Sequence, residues 1–453
     1  MGILCVASQT PLIQLLNPNV AENEEVTDLS NLSEGVEYRF SPGGVSRMLY
    51  PLLRRMVQSG IIDGVEWISL NPNAPPRASF KGINLNHVTI PQAKIRGYGT
   101  VKEWIWRLFH GLWKPEVPEF WCDEYIDYMF LNRRFSELAY ALHRQLDFDG
   151  FYIHDFQLLP MGSMLPAAEP KIFRWHIPFR THDLPRSWQL ALLKYLSYYD
   201  VVIVSSRTYL NELRRLGYEG DAFHIYPYID PTQYTQPTTQ QIQDLRGRLG
   251  ISEGDKVLLT VARLDPMKAQ DKVILALKRV VSKIPNTKLV LVGDGSFSSS
   301  KLGLSKGERW LRYLRECVEK EGLERNVVFA GYLPEKELGV AYAMCDAFIL
   351  PSVREGFGLV VVEAWLYKKP VIVSSYAGVA DLIVDGVNGL LFDPNNIEQL
   401  TSKIIKVLTD EELAETLGKK GFETSKLCYI DEGIKKEAEV LSKYLGGVRY
   451  ATV

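Results

Sequence analysis

Two polar dipeptides, His154-Asp155 and Trp175-His176, lie at the ends of short apolar runs in the first half of the chain. The runs, "GFYIH" and "KIFRWHI", are typical of buried strands. In α/β proteins, ligands bind outside the carboxyl ends of the parallel strands. Asp155 and His176 are therefore candidate site residues, although polar residues also mark the simple end of a strand.

A glycine-rich segment in the second half, "LPSVREGFGLVVVEAW", carries two glutamates eight residues apart. We predict that a buried strand ends at its Leu-Pro and that a helix begins near Gly358. The amides of Phe357, Gly358 and Leu359 could then hold a diphosphate at the helix N-terminus. Glu355 in the loop and Glu363 in the helix would be free to accept hydrogen bonds from hydroxyl groups. This combination fits a nucleotide sugar, and the alternative is two solvated glutamates beside a turn.

Two further segments could bind phosphate. In "VARLDPMKAQD", Arg263 and Lys268 follow a predicted strand and flank a proline turn. Such a pair of cations suits a diphosphate leaving group, whose departure builds negative charge, and the alternative is an ordinary surface loop. In "SPGG", Gly43 and Gly44 precede an amphipathic helix over 45–58, which predicts either an anion site or a simple turn.

Short strands that alternate with helices must position these residues. The strands predicted in the first half are "ILCVA", "VEWISL", "GFYIH", "KIFRWHI", "VVIVS" and "AFHIYP", and those in the second half are "KVLLTVA", "KLVLVGD", "VVFAGYL", "DAFILPS", "PVIVSS" and "GLLF". The segment "YPYIDPTQYTQP" interrupts this alternation, and its many Pro, Tyr and Thr residues predict a linker. We therefore predict two α/β, doubly wound, Rossmann-like domains that face a cleft, at 1–228 and 229–429, followed by a helix at 430–453 that folds back onto the first domain.

The composition is that of a soluble globular protein of 453 residues, with 46% hydrophobic and 23% charged residues. A net charge of −2 gives no broad basic surface for nucleic acid. Five scattered cysteines without a CxxC pair argue against disulfides and structural zinc. The chain shows neither a signal peptide nor an 18-residue apolar run, so we expect a cytoplasmic protein without stable membrane insertion. The oligomeric state stays open, a homo-oligomer included.

The glutamate spacing resembles the E-x7-E element of retaining GT-B glycosyltransferases, and "RLDPMK" is similar to the Arg and Lys pair of that superfamily. The first half resembles a narrower group, the trehalose-6-phosphate synthases. Its "HDFQLLP" and "WHIPFR" are similar to the "HDY-x-LLP" and "HIPF" segments of that family, and "WIWRLFH" and "NRRF" follow the same order and spacing. The resemblance implies a GT-B fold and transfer of glucose, with retention, from a nucleotide glucose to C1 of a second glucose unit.

The resemblance also implies roles for single residues. Asp155 would face the acceptor and His176 the donor hexose, Arg263 and Lys268 would stabilise the leaving diphosphate, and Glu355 would bind hexose hydroxyls; these five form the implied catalytic set. Trp106 and Tyr98 would form the acceptor pocket, while Gly43, Gly44, Gly356, Phe357, Gly358, Leu359 and Glu363 would contact the donor, the last through its ribose. The cations would replace a metal, and no cofactor is implied beyond the donor substrate, UDP-, ADP- or GDP-glucose.

The sequence departs from the synthase pattern in three places. Gln9 and Thr10 stand where the family has an Asn-Arg pair whose arginine helps to bind the acceptor phosphate. The segment "GDGSFSSSKLGLSKGER" offers serines, Lys301 and Lys306 instead of a second phosphate-binding arginine. "EGFGL" replaces the family's Asp-Gly-Met-Asn-Leu. The expected acceptor is glucose 6-phosphate, with free glucose as the alternative.

Other classes of function remain open at this point. A retaining glycosyltransferase could act on another sugar or on a lipid, with the aromatic segment "EWIWRLFHGLW" at a membrane interface. A sugar-nucleotide epimerase would share the two-domain fold. A non-catalytic sugar-binding protein would keep the same residues but turn over no ligand.

Overall fold

The structure is a computed structural model that describes residues 2–16, 26–41, 44–112, 120–294 and 306–445. The chain divides into two compact units. Unit 1 comprises Met1–Tyr228 and Ile430–Val453, and unit 2 comprises Ile229–Tyr429. Both are built from mostly parallel sheets and helices, so the predicted α/β class is confirmed.

Seventeen strands are present in the described residues. They are β1 (Ile3–Ser8), β2 (Ile13–Leu15), β3 (Thr27–Asp28), β4 (Tyr38–Phe40), β5 (Gly64–Leu70), β6 (Arg77–Phe80), β7 (Ile83–Val88), β8 (Gly150–His154), β9 (Lys171–Arg174), β10 (Val201–Val204), β11 (Asp221–His224), β12 (Lys256–Val261), β13 (Thr287–Val292), β14 (Val327–Gly331), β15 (Ala347–Leu350), β16 (Val371–Ser374) and β17 (Leu390–Phe392). All the strands predicted from apolar runs are among them. Five others, β2, β3, β4, β6 and β7, were not predicted.

Fourteen α-helices accompany these strands in the same described ranges. They are α1 (Gly44–Gln58), α2 (Gln92–Phe109), α3 (Asp123–Leu146), α4 (Met161–Met164), α5 (Arg186–Leu196), α6 (Arg207–Leu216), α7 (Thr239–Arg248), α8 (Gln270–Lys283), α9 (Lys306–Glu321), α10 (Glu335–Met344), α11 (Leu359–Leu366), α12 (Ile397–Thr409), α13 (Glu411–Ser425) and α14 (Ile430–Tyr444). No described helix is long and apolar enough to cross a membrane.

The main sheet of unit 1 has nine strands in the order β11-β10-β9-β8-β1-β5-β7-β6-β3. All pairs are parallel except β6 with β7, and β2 with β4 forms a separate antiparallel ribbon. Every residue of β8 and β10 is buried, as expected for strands covered by helices on both faces. The parallel register of β8 and β9 pairs His154 with Arg174, so their carboxyl ends lie side by side.

Helix α14 packs on unit 1 rather than on the segment that precedes it. Its Ile434 and Leu441 belong to the same buried cluster as Leu4 and Val6 of β1. The helix therefore completes the core on one face of the nine-stranded sheet.

The sheet of unit 2 has six parallel strands in the order β14-β13-β12-β15-β16-β17. The chain order reverses between β12 and β15, which makes the loops after these two strands the topological switch point, where such sheets bind ligands. The two loops are joined directly, because the amide of Val353 donates to the carbonyl of Met267 at 2.9 Å.

Candidate functional site

The exits of β8 and β9 bring together three polar residues of unit 1. The amide of His176 donates to Oδ1 of Asp155 at 3.2 Å, and the amide of Asp155 donates to the carbonyl of Arg174 at 2.8 Å. Nδ1 of His154 lies 3.1 Å from Nε2 of His176. Asp155 and His154 are buried, and His176 is half-buried. The structure thus joins Asp155 with His176 and adds His154, which the sequence had marked only as the neighbour of Asp155.

Asp155 has a backbone conformation that side chains rarely adopt, with φ 69° and ψ 166°. This region is essentially restricted to glycine and costs about 1–3 kcal/mol for other residues. The conformation turns the chain from β8 into a short 3₁₀ helix, Phe156–Leu158. The strain is retained at a residue that carries a buried carboxylate, which is typical of a functional position.

Burial raises the pKa of Asp155 to about 6. Hydrogen bonds to its carboxylate from the amides of His176, Phe156 and Ile177 lower the pKa and only partly offset this effect. Burial also holds the pKa values of His154 and His176 well below their usual range, and the positive charge of Arg174 adds to the effect on both rings. Both imidazoles are therefore neutral at pH 7.

The strain at Asp155 predicts an unusual order of stability. We expect Asp155→Gly to be more stable than Asp155→Ala by about 1–3 kcal/mol, because glycine adopts this conformation without a Cβ penalty. Urea denaturation at pH 8 measures the difference. An alanine variant as stable as the glycine variant would show that the backbone is not strained there.

The same carboxyl predicts a pH dependence of stability. Between pH 4 and pH 6 the unfolded chain ionises Asp155 while the folded protein keeps it protonated, so stability is lost as pH rises through this window. Relative to Asp155→Gly, the wild-type protein should lose about 2 kcal/mol between these pH values and less than about 1 kcal/mol more between pH 6 and pH 8. Urea midpoints at pH 4, 6 and 8 test this, and a constant difference between the two proteins would contradict it.

Two aromatic residues of helix α2 were predicted for the acceptor pocket. Tyr98 is buried, stacks on Tyr128 with ring centroids 6.5 Å apart, and has no hydrogen-bond partner for its hydroxyl in the described part of the chain. Burial, and then the negative charge of Asp155, raise the pKa of Tyr98, which places the two residues in the same part of unit 1. Trp106 is half-buried on the same helix and stacks on His110, with ring centroids 3.9 Å apart.

At the switch point of unit 2, Lys268 and Glu355 form an ion pair between the two loops. The ammonium of Lys268 donates to Oε2 of Glu355, and the hydroxyl of Ser352 donates to the same oxygen at 3.1 Å. Their side chains are only 17% and 18% exposed. Asp265 orients the lysine by capping the 3₁₀ turn Pro266–Lys268 with a bond from the amide of Met267 at 2.9 Å.

Arg263 lies in the same loop as Lys268 and is exposed. Its backbone is fixed because the side-chain amide of Gln270 donates to its carbonyl at 2.9 Å. Its guanidinium makes no hydrogen bond or ion pair with the residues that the structure describes. The loop therefore offers one paired cation and one cation available to an anion.

The glycine loop leads into helix α11 with little room for side chains. Gly358 caps the helix at φ 105°, and a Cβ there would lie 2.8 Å from Leu350. Behind the loop, a Cβ on Gly378 would lie 2.3 Å from the carbonyl oxygen of Gly356 and 3.0 Å from Cα of Phe357. The first turn, which begins at Leu359, contains no acidic residue, so the positive end of the helix dipole is not neutralised locally.

Glu363 is more enclosed than the sequence suggested. It is 9% exposed, and its two oxygens accept hydrogen bonds from Tyr234 at 3.1 Å and Tyr342 at 2.7 Å. Each carboxylate oxygen keeps a second lone pair for a ligand hydroxyl. The sequence pattern could not predict Tyr234 and Tyr342 as partners, because no periodicity links them to Glu363.

The remaining predicted residues are the two glycines before α1. Gly43 lies outside the described residues, and Gly44 is the first residue of the helix. The described residues contain no cluster of three or more His, Cys, Asp or Glu side chains that could hold a metal ion.

Comparison with known proteins finds a family similarity for the region that contains the ion pair of Lys268 with Glu355. Residues 241–424 match the family model of group 1 glycosyltransferases. This segment is similar to group 1 glycosyltransferases. It contains Arg263, Lys268, Glu355 and Glu363.

Longer similarities extend the match into unit 1. The chain is 26% identical over 319 residues to alpha-monoglucosyldiacylglycerol synthase of Acholeplasma laidlawii, covering 66% of this chain and 76% of that protein. It is 28% identical over 288 residues to trehalose synthase of Thermococcus litoralis, covering 62% and 66%. The chain thus spans two-thirds to three-quarters of these relatives.

The fold is also that of solved glycosyltransferases. The alpha,alpha-trehalose-phosphate synthase (UDP-forming) of Burkholderia vietnamiensis superposes with a TM-score of 0.73 at 17% identity, covering 98% of this chain and all of that one. The GT-B fold expected from the resemblance is confirmed. The chain thus has the GT-B fold, and its second half is similar to group 1 glycosyltransferases.

Proposed function

We propose that the protein is a retaining glucosyltransferase that transfers glucose from a nucleotide glucose, such as UDP-glucose, to glucose 6-phosphate, forming trehalose 6-phosphate. The donor side of the proposal is supported by the contact of Lys268 with Glu355 beside the glycine loop, at the switch point of unit 2. Glu355 would accept hydrogen bonds from hexose hydroxyls, and Glu363 from the ribose. Lys268, Arg263 and the start of α11 would hold the diphosphate.

The acceptor side of the proposal is supported by the grouping of Asp155, His176 and Tyr98 in unit 1. A carboxylate at Asp155 would accept a hydrogen bond from an acceptor hydroxyl, and Trp106 would offer an aromatic wall of the kind that sugars pack against. The half-buried Lys102 adds a positive charge, with its ammonium 5.9 Å from the ring centroid of Tyr98. The UDP-forming synthase with the same fold supports the choice of reaction.

The reaction would proceed on one face of the donor sugar. The bond between C1 and the phosphate oxygen breaks while the acceptor hydroxyl oxygen bonds to C1 from the same side, which retains the configuration. The acceptor proton passes to an oxygen of the departing phosphate. Lys268 and Arg263 stabilise the negative charge that develops there, so the chain needs no additional base.

Free glucose is a second candidate acceptor. Gln9 and Thr10 follow β1, so the position where the synthases carry a phosphate-binding arginine holds neutral side chains. The relative from Thermococcus litoralis is named a trehalose synthase, which supports trehalose itself as the product.

A product assay separates these reactions. UDP-, ADP- and GDP-glucose are each offered with glucose 6-phosphate, glucose or diacylglycerol vesicles, and the products are identified by mass spectrometry. Trehalose 6-phosphate is the expected product. Trehalose from glucose alone would assign the second candidate, and a glucolipid, or no transfer to either glucose acceptor, would overturn the proposal.

A further inference from the structure

The pair of histidines at the β8 and β9 exits contains a polar atom without a partner. His154 is buried, its Nδ1 lies 3.1 Å from Nε2 of His176, and its own Nε2 has no hydrogen-bond partner among the described residues. The ring of Tyr152 packs against the ring of His154, with centroids 4.2 Å apart. One ring nitrogen of His154 is therefore bonded and the other is enclosed.

This arrangement selects one tautomer of His154. A neutral imidazole carries its hydrogen on one nitrogen and a lone pair on the other. An orphaned buried N–H is rarer in proteins than an orphaned acceptor, because it loses its hydrogen bond to water entirely. The hydrogen of His154 therefore belongs on Nδ1, where it donates to Nε2 of His176.

The tautomer of His176 follows from that of His154. Its Nε2 accepts the hydrogen bond, so its own hydrogen must be on Nδ1. The ring is neutral, since burial lowers the pKa of both histidines. Nδ1 of His176 has no hydrogen-bond partner among the described residues, so its N–H is available to a ligand.

We propose that His154 is a positioning residue that holds His176 in the tautomer with its hydrogen on Nδ1, so that His176 donates a hydrogen bond to an oxygen of the bound sugar and takes up no proton. This inference rests on the proposed function for the identity of the ligand, but the tautomer itself does not depend on it. His176 is then a fixed donor, in agreement with a reaction in which the departing phosphate receives the proton.

Nitrogen NMR of the whole protein labelled with ¹⁵N-histidine reads the tautomer directly. The chain has seven histidines, and the spectrum of His176→Gln identifies the signals of His176. We expect a protonated Nδ1 and an unprotonated Nε2 for His176 at pH 7.5. A protonated Nε2 in the wild-type protein would overturn the proposal. His176→Asn provides the same assignment if His176→Gln fails to fold. The tautomer is read without any turnover, so it is decided even if no glucosyl transfer is detected, and failure of the proposed function is distinguishable.

A pair of variants tests the consequence for turnover. Asparagine at 154 can place an N–H donor close to the position of Nδ1, whereas leucine cannot. We expect His154→Leu to convert His176 to a mixture of tautomers and to lower kcat roughly 10- to 100-fold, the range known for partners that fix the tautomer of metal-bound histidines. His154→Asn should keep the Nδ1 tautomer and most of kcat. Equal kcat values for the two variants, at matched thermal stability, would contradict the proposal.

Discussion

Replacing Lys268 by alanine is expected to lower kcat at least ~10²-fold, the loss typical of removing one group that stabilises developing charge. The lysine is mostly buried against Glu355, so its ammonium is held in place before the donor binds and needs no reorganisation during the reaction. Glu355→Gln should lower kcat by a similar factor, because the neutral amide lacks the charge that holds the ammonium and accepts hydrogen bonds from hydroxyl groups more weakly. Steady-state kinetics with saturating acceptor measures both variants.

Lys278→Ala is the matched control for this prediction. Lys278 lies on helix α8 of the same unit, and its side chain is 52% exposed in an ion pair with Glu321. An exposed pair of this kind contributes little, so the variant should keep wild-type kcat. Near-normal kcat in both Lys268→Ala and Glu355→Gln would show that the donor does not bind at the switch point of unit 2.

The second large effect concerns the attachment of helix α14. Arg174 of β9 and Glu437 of α14 form an ion pair in which both side chains are completely buried. Glu437 also accepts a hydrogen bond from Tyr152 at 2.8 Å, and Arg174 donates to the carbonyl of Ile225 at 3.1 Å. Glu437→Ala should destabilise the protein by about 3–5 kcal/mol, because it leaves an uncompensated buried guanidinium.

Two further variants make this prediction specific. The Arg174→Met, Glu437→Leu double variant should recover most of the lost stability, since replacing a buried pair by apolar residues is often neutral. Asp431, like Glu437, lies on α14; Asp431→Ala breaks its exposed ion pair with Arg55 of α1 and should cost about 1 kcal/mol or less. Urea denaturation measures all three. A cost for Glu437→Ala no greater than that for Asp431→Ala would contradict the account of this helix.

Much of the strand framework was predictable because most strands are continuous apolar runs. Strands such as β8 and β15 are buried throughout, and their sequences show it. β7 was missed because "INLNHV" carries two polar residues, Asn86 and His87, at buried positions. Its Asn84 and Asn86 donate to Glu66 of β5 at 2.6 and 2.7 Å, and this polar ladder breaks the hydrophobic pattern.

The candidate site residues could be predicted where polar residues with a recognisable spacing fall within one short segment. Asp155, His176 and Glu355 stand out at strand ends, but their partners do not. The pairing of Lys268 with Glu355 depends on the adjacency of β12 and β15, which are separated by two other strands in sequence. Arg174 was read as part of an apolar run, since its partner Glu437 lies in the last helix.

The measurement that tests the central claim most directly is ¹H NMR of the reaction between UDP-glucose and glucose 6-phosphate. Signals of the anomeric protons report both the new linkage and its configuration as the donor is consumed. The account predicts an α,α-1,1 linkage, with the configuration of the transferred glucose retained. A β-configured product, or hydrolysis of the donor without transfer, would contradict it.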